Sequence, residues 1–161
     1  MIDVLGIGGA AVDDIVVIDD FPAHEQKVPI RERHRLCGGL ATTALVAAAK
    51  LGVCASYAAT VGEDELSDFV LSELQRQGVD TSHCVRDAKA GVVYAIVMVD
   101  RSSGGRTILA DSASMRGPNE SYPPEALIRS AGVLLVDRFG MPGMIRAARI
   151  ARKAGIPVVA D

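Results

Sequence analysis

Short aliphatic runs punctuated by glycine recur along the chain and switch between a two-residue and a 3.6-residue period. Val4 to Gly9 reads as a short buried strand, and Val12 to Ile18, rich in β-branched residues, as a second. After the turn Asp19-Asp20-Phe21-Pro22-Ala23, Lys27 to Leu36 reads as an extended strand. Its two-residue period puts Lys27, Arg31, Arg33 and Arg35 on one face and Val28, Ile30 and Leu36 on the other, which suits a small, half-exposed sheet. A glycine-opened helix follows, then a strand over Cys54 to Val61. Asp64 caps the next helix, whose stripe Leu66, Phe69, Val70 and Leu74 ends at Gly78. Gly91 to Asp100 and Arg106 to Ala110 form a hairpin around a five-residue turn. A short helix near Pro123, with Ser121 as a candidate cap, leads to the buried strand Val133 to Asp137. A helix from Met144 to Ala154 and a core strand from Ile156 to Asp161 complete the order. This alternation implies an α/β protein: a parallel sheet with flanking helices, plus a second, antiparallel sheet built from the strands near 12–18, 27–36, 91–100 and 106–111.

The stretch Cys37-Gly38-Gly39-Leu40-Ala41-Thr42-Thr43 stands out. Two glycines follow a charged strand and open a helix whose only charge is Lys50, so the helix is expected to be buried and central. Its N-terminus presents unpaired backbone N–H groups and the hydroxyls of Thr42 and Thr43, beside glycines that allow close approach of another molecule. The stretch therefore reads either as a ligand platform or as a glycine turn feeding a core helix. Gly6, Gly8 and Ala11 also match the Gly-x-Gly-x-x-Ala dinucleotide fingerprint. That motif works only where a helix begins at the glycines; Val12 to Ile18 reads as strand, so a dehydrogenase reading stands only if those residues are helical.

Composition narrows the class. The 161 residues are 49% hydrophobic and 23% charged, with a net charge of -3. That size suits one domain, and the charge gives no general attraction to nucleic acid. No apolar run approaches the ~20 residues of a membrane span, and Met1-Ile2-Asp3 lacks a basic signal region. Cys37, Cys54 and Cys84 are an odd, scattered set, as expected of reduced thiols in a cytoplasmic protein. Cys37, beside the glycines, is either a reactive thiol or, by the commoner pattern, a small buried hydrophobe. His24, His34 and His83 show no metal-ligand spacing, so no metal site is expected.

In combination these features resemble the ribokinase-like, or PfkB, family of ATP-dependent carbohydrate kinases. The residues that carry the resemblance are Gly38-Gly39-x-Ala41 running into Lys50-Leu51-Gly52, the turn Val61-Gly62-Glu63-Asp64, and Val12-Asp13 with Phe21-Pro22. Gly91-Val92-Val93 and Gly105-Arg106-Thr107-Ile108-Leu109 in the hairpin match as well. In texture the Asp68 to Asp80 run and the hairpin look like ketohexokinase-type members. The resemblance implies a ribokinase-like core with the antiparallel sheet as a lid over a sugar, and a homodimer contact through that lid. It also implies ATP and Mg²⁺ as cofactors of a full-length enzyme whose catalytic aspartate and anion hole lie in a C-terminal half. No Gly-x-Gly-Asp occurs here, so the chain reads as the N-terminal portion of one ribokinase-like domain, with no catalytic residue of its own and weak nucleotide binding.

The sugar side is what the resemblance assigns to these residues: Asp13, Gly38, Gly39, Leu40, Thr43 and Asp137 as substrate-binding positions. Two depart from the family's pattern, which usually has Asn where Thr43 stands and, in several sugar-specific members, a polar residue at Leu40. Each polar partner lost is worth roughly 1–3 kcal/mol of discrimination. Asp137 and Arg138, closing a core strand, are expected either at the rim of the site or as a surface ion pair. The leading expectation is phosphorylation of a sugar or sugar-like hydroxyl; the alternative is a non-catalytic sugar-binding or dimerising remnant. Ile156, Val158 and Val159 are expected to leave an apolar patch on an open edge, favouring association.

Overall fold

The computed structural model describes residues 1–161. Its core is a four-stranded, all-parallel sheet of β1 (Ile2–Ile7), β4 (Ala55–Ala58), β9 (Ala131–Val136) and β10 (Val158–Ala160), in the order β10-β9-β1-β4. The two-residue period of the strands divides the interior in two. Leu5, Ile7, Leu134 and Val136 pack on one side with Ile128 of α3 (Glu125–Arg129) and Met144, Ala147 and Ala151 of α4 (Met141–Lys153). Ala55, Tyr57 and Leu135 pack on the other with Leu45 of α1 (Leu40–Lys50) and Val70 and Leu74 of α2 (Glu65–Arg76). Helices thus cover both faces, as a parallel sheet requires. A side chain at Gly6 would run into Leu45, so the first glycine of the apparent dinucleotide fingerprint serves the seating of α1 on β1.

The second sheet holds β2 (Ala11–Ile18), β3 (Glu32–Gly38), β7 (Val93–Asp100) and β8 (Arg106–Asp111), in the order β3-β2-β7-β8. The hairpin turn falls at residues 101–105 as expected, and β2 is a strand, which removes the dehydrogenase reading. The pairs β2–β3 and β7–β8 are antiparallel, but β2 and β7 run parallel, so the lid is mixed where an antiparallel sheet is expected. The chain between those two central strands passes through the core sheet, α1 and α2, a crossover long enough to bring β7 back in the direction of β2.

Other differences are local. β3 starts at Glu32 rather than Lys27, after Pro29, which lacks the N–H a ladder needs; the strand then continues through Cys37 into Gly38. The expected strand over 54–61 divides at Ala59: β4 stays beside β1, and β5 (Thr60–Val61) pairs with β6 (Val85–Arg86). α2 is capped as expected, with the Ser67 amide donating to Asp64 at 2.9 Å. α3 is instead preceded by Pro124, with Ser121 turned to Asn119. α4 begins at Met141 rather than Met144, with Pro142 and Gly143 in its first turn, where the missing N–H of proline has no helical partner to lose. β10 lies at the edge of the sheet with Val159 51% accessible, while Ile156 and Val158, expected in the same apolar patch, are half-buried against the core. No helix is long and apolar enough to cross a membrane.

α1 differs most from expectation. Ala41, Thr42 and Leu45 are buried, but Leu40, Thr43 and Ala47 are exposed. The open side of this apolar helix faces the space between the core sheet and the lid.

Candidate functional site

That space is an open cleft of about 630 Å³. Its floor is the turn after β1, at Gly9 and Ala10, together with Arg138 and Phe139 beyond β9. Its roof is the inward face of the lid: Ala11 and Asp13 from β2, Val93 and Ala95 from β7, Ile108 and Ala110 from β8. Gly38, Gly39, Leu40 and Thr43 form the side wall at the start of α1. The cleft therefore opens at the carboxyl ends of the parallel strands, where α/β sheets bind ligands.

Adjacent aspartates on β2 have opposite surroundings because successive strand residues face opposite ways. Asp14 points to the outer face, where Arg35 donates two hydrogen bonds to its carboxylate, at 2.7 and 2.9 Å, and the Tyr94 hydroxyl donates a third at 2.9 Å. The Arg35 hydrogen bond, chiefly, holds the Asp14 carboxyl down at about 2. A depressed carboxyl stabilises the fold above its unfolded pKa, and that contribution is lost as pH falls from about 4 through about 2. Accordingly, Arg35→Leu is expected to lower the melting temperature at pH 7 and to match wild type near pH 2. Melting curves across that range check it; a gap independent of pH would place the Arg35 contribution in packing alone.

Asp13 faces the cleft. Burial pushes its carboxyl up, with no charged or hydrogen-bonding partner offsetting that cost. Its carboxylate lies so close over Gly38 that a methyl group there would overlap it. Gly39, the residue before α1, has φ +109, and a side chain on it would sit 2.5 Å from the Gly9 carbonyl. Glycine is thus required twice: at Gly38 for space beneath a carboxylate, at Gly39 for backbone conformation.

The remaining expected site residues divide. Leu40 and Thr43 do line the cleft, Leu40 being 39% exposed. The Thr42 hydroxyl turns away, donating to the Gly38 carbonyl at 2.6 Å. Asp137 is 5% exposed and is neither at the rim nor in an ion pair. Its carboxylate accepts from the Gly9 amide at 2.7 Å and the Phe139 amide at 2.8 Å, behind the floor of the cleft. Burial raises its carboxyl, while those amides and that of Ala41 in the first turn of α1 act in the opposite direction. Arg138, of the two, does line the cleft, its guanidinium 5.1 Å from the centre of the Phe139 ring. Burial pushes the Cys37 thiol up to about 11, so Cys37 behaves as the small hydrophobe of the commoner reading.

The cleft does not fit a nucleotide triphosphate by itself. Arg138 is the only cation lining it, and the carboxylate of Asp137 already faces the α1 N-terminus, the place a helix offers a phosphate. What the lining does offer is one desolvated carboxylate, backbone at two glycines, and an apolar surround.

These features define a ribokinase-like α/β protein with an open cleft between its two four-stranded sheets. The model of the pfkB family carbohydrate kinases matches residues 1–161, and the chain belongs to that family. Among similar proteins are a ribokinase of Arabidopsis thaliana, 26% identical over 96% of this chain and 42% of its own length, and a 5-dehydro-2-deoxygluconokinase of Bacillus velezensis, 26% identical over 98% and 49%. The solved structure of Arabidopsis thaliana ribokinase complexed with ribose and ATP superimposes with a TM-score of 0.83 at 23% identity, covering 100% of this chain and 54% of that one. The chain thus spans about half the length of the relatives it matches.

Proposed function

We propose that this chain supplies the sugar-binding face of an ATP-dependent carbohydrate kinase. The observation that carries the reading is the unpartnered Asp13 carboxylate over Gly38 and Gly39 in the cleft. An ionised carboxylate accepts several hydrogen bonds at once, which suits vicinal hydroxyls, and the glycines let a sugar ring lie against the start of α1. Family membership and the kinase names of its relatives support phosphoryl transfer as the reaction. In that reaction these residues hold and orient the acceptor hydroxyl, work worth several kcal/mol of barrier when geometry is right. ATP as the phosphoryl donor is supported by the family and by the ATP-bound relative, with Mg²⁺ as its counter-ion part of the same proposal; the residues present here do not form that part of the site. A homodimer contact through the exposed outer strand β8 and a cytoplasmic location belong to the same reading.

The test is a phosphoryl-transfer assay of the natural gene product across pentoses, hexoses and nucleosides, with calorimetry in parallel. Turnover of at least one acceptor is expected. Sugar binding without ATP consumption would favour a non-catalytic sugar-binding module. Neither heat nor turnover with any acceptor would overturn both. Leu40 and Thr43 set the second expectation: Thr43→Asn restores amide donors at the wall and should tighten binding of a polyhydroxylated acceptor roughly tenfold. Titrations of wild type and variant check this, and unchanged affinity would remove Thr43 from the contact surface.

A further inference from the structure

The turn Gly8-Gly9 joins the core strand β1 to the lid strand β2 that carries Asp13, and two buried polar groups fasten it from the core side. The Tyr57 hydroxyl, on β4, donates to the Gly8 carbonyl at 2.8 Å. Tyr57 is 1% exposed, so its hydroxyl has no solvent alternative to that acceptor. From the end of β9, Asp137 accepts the Gly9 amide at 2.7 Å and its own turn's Phe139 amide at 2.8 Å. A methyl group at Gly8 would overlap the Asp137 carboxylate, and one at Gly9 would reach 2.5 Å from the Phe139 ring. The fit between the turn and these anchors is therefore close. Their targets are successive residues with alternate roles, a carbonyl held by a donor and an amide held by an acceptor, so the peptide plane between Gly8 and Gly9 is fixed in orientation.

We infer that Tyr57 and Asp137 are positioning residues that clamp the Gly8-Gly9 peptide and thereby set the height of Asp13 above Gly38 and Gly39. The inference rests on the sugar-site reading above, and it gives Asp137 a part in that site without contact to the ligand. The clamp acts at the joint between the two sheets: Gly9 and Ala10 are cleft floor, Ala11 begins the lid, and the Gly9 carbonyl lies against Gly39. Loosening the turn displaces the floor, the carboxylate and the start of α1 together. The amide of Ala41, in the first turn of α1, also faces Asp137, so one buried carboxylate links β9, the turn and the helix.

The experiment compares the natural gene product with Asp137→Asn and Tyr57→Phe by amide hydrogen exchange and by sugar titration or steady-state kinetics. In Asp137→Asn the Gly9 amide should lose about tenfold in protection beyond any change in the β1 and β9 amides. Both variants should raise the sugar KM roughly tenfold with kcat within about threefold, a split that general loss of stability does not produce. In an Asp13→Ala background that rise should vanish, because the clamp acts through Asp13. Gly9 exchange that follows the core amides, or KM losses that add in full to those of Asp13→Ala, would overturn the inference. Tyr57→Phe keeps the ring packed and carries the kinetic arm if Asp137→Asn fails to fold. A wild-type protein that binds no sugar would overturn the sugar-site reading, and Gly9 exchange would still decide whether the clamp exists.

Discussion

Asp13→Ala is expected to lower kcat/KM for the sugar acceptor by about 10–10²-fold, since hydrogen bonds to a charged group are worth roughly 1.5–3 kcal/mol and each 1.4 kcal/mol is tenfold. Asp13→Asn keeps one acceptor oxygen and loses the charge, and its loss should be about tenfold smaller. The informative part is stability, which should move the other way. Burial raises the Asp13 carboxyl above its ordinary 3.8 with nothing offsetting it. Between 3.8 and that raised value the folded chain holds more protons than the unfolded one, so stability falls as pH rises through the window. Asp13→Asn removes this cost. It should melt higher than wild type at pH 7, with the gain disappearing as pH falls below about 4, where the carboxyl becomes protonated in both states. Melting temperature against pH for the two proteins checks the sign. A variant less stable at neutral pH would mean that Asp13 has a structural partner and is no free ligand for a substrate.

The same residue shows how much of the site is legible in sequence. Asp13 and Asp14 are neighbours of one type, and the two-residue period alone says that they face opposite ways. Which one faces the cleft depends on the position of Arg35 across the ladder, and the antiparallel register that pairs Asp14 with Arg35 is set by a turn whose length composition does not give. Features with local causes were readable: the Asp64 cap of α2, the hairpin turn at 101–105, the glycines before α1. Features with distant causes were not. The parallel pairing of β2 with β7 joins residues some eighty positions apart, and no periodicity names a strand's partner. The apolar face of α1 reads as core because hydrophobicity does not distinguish a face covered by protein from one lining a cleft. Asp137 and Arg138, expected together at the rim, part because strand alternation ends at Val136, and the turn beyond it decides which side chain enters the cleft. Tyr57 carried a signal that strand reading passes over: a hydroxyl in a short, wholly buried strand must find an acceptor.

Gly38→Ala and Gly39→Ala should separate the two demands that the glycine pair meets. Gly39 sits at φ +109. A side chain there suffers left-handed strain of roughly 1–2 kcal/mol. Its Cβ would also stand 2.5 Å from the Gly9 carbonyl and 2.7 Å from the Thr42 hydroxyl. The first of these is backbone and cannot swing aside, so the start of α1 must shift. Gly39→Ala should therefore destabilise the protein by about 3 kcal/mol or more in urea denaturation, with sugar binding lost alongside. At Gly38 the obstacle is different. The added methyl meets only the end of the Asp13 side chain, which can rotate away. Gly38→Ala should cost less than about 1 kcal/mol of stability yet weaken sugar binding roughly a hundredfold, because the carboxylate that moves is the one the sugar needs. Combined with Asp13→Ala, Gly38→Ala should then have little further effect on binding, since the group it displaces is gone. Equal stability losses at the two glycines would mean that the Gly38 backbone is strained as well, and full additivity with Asp13→Ala would mean that Gly38 contacts the sugar directly. Either result would change which atoms form the wall of the cleft.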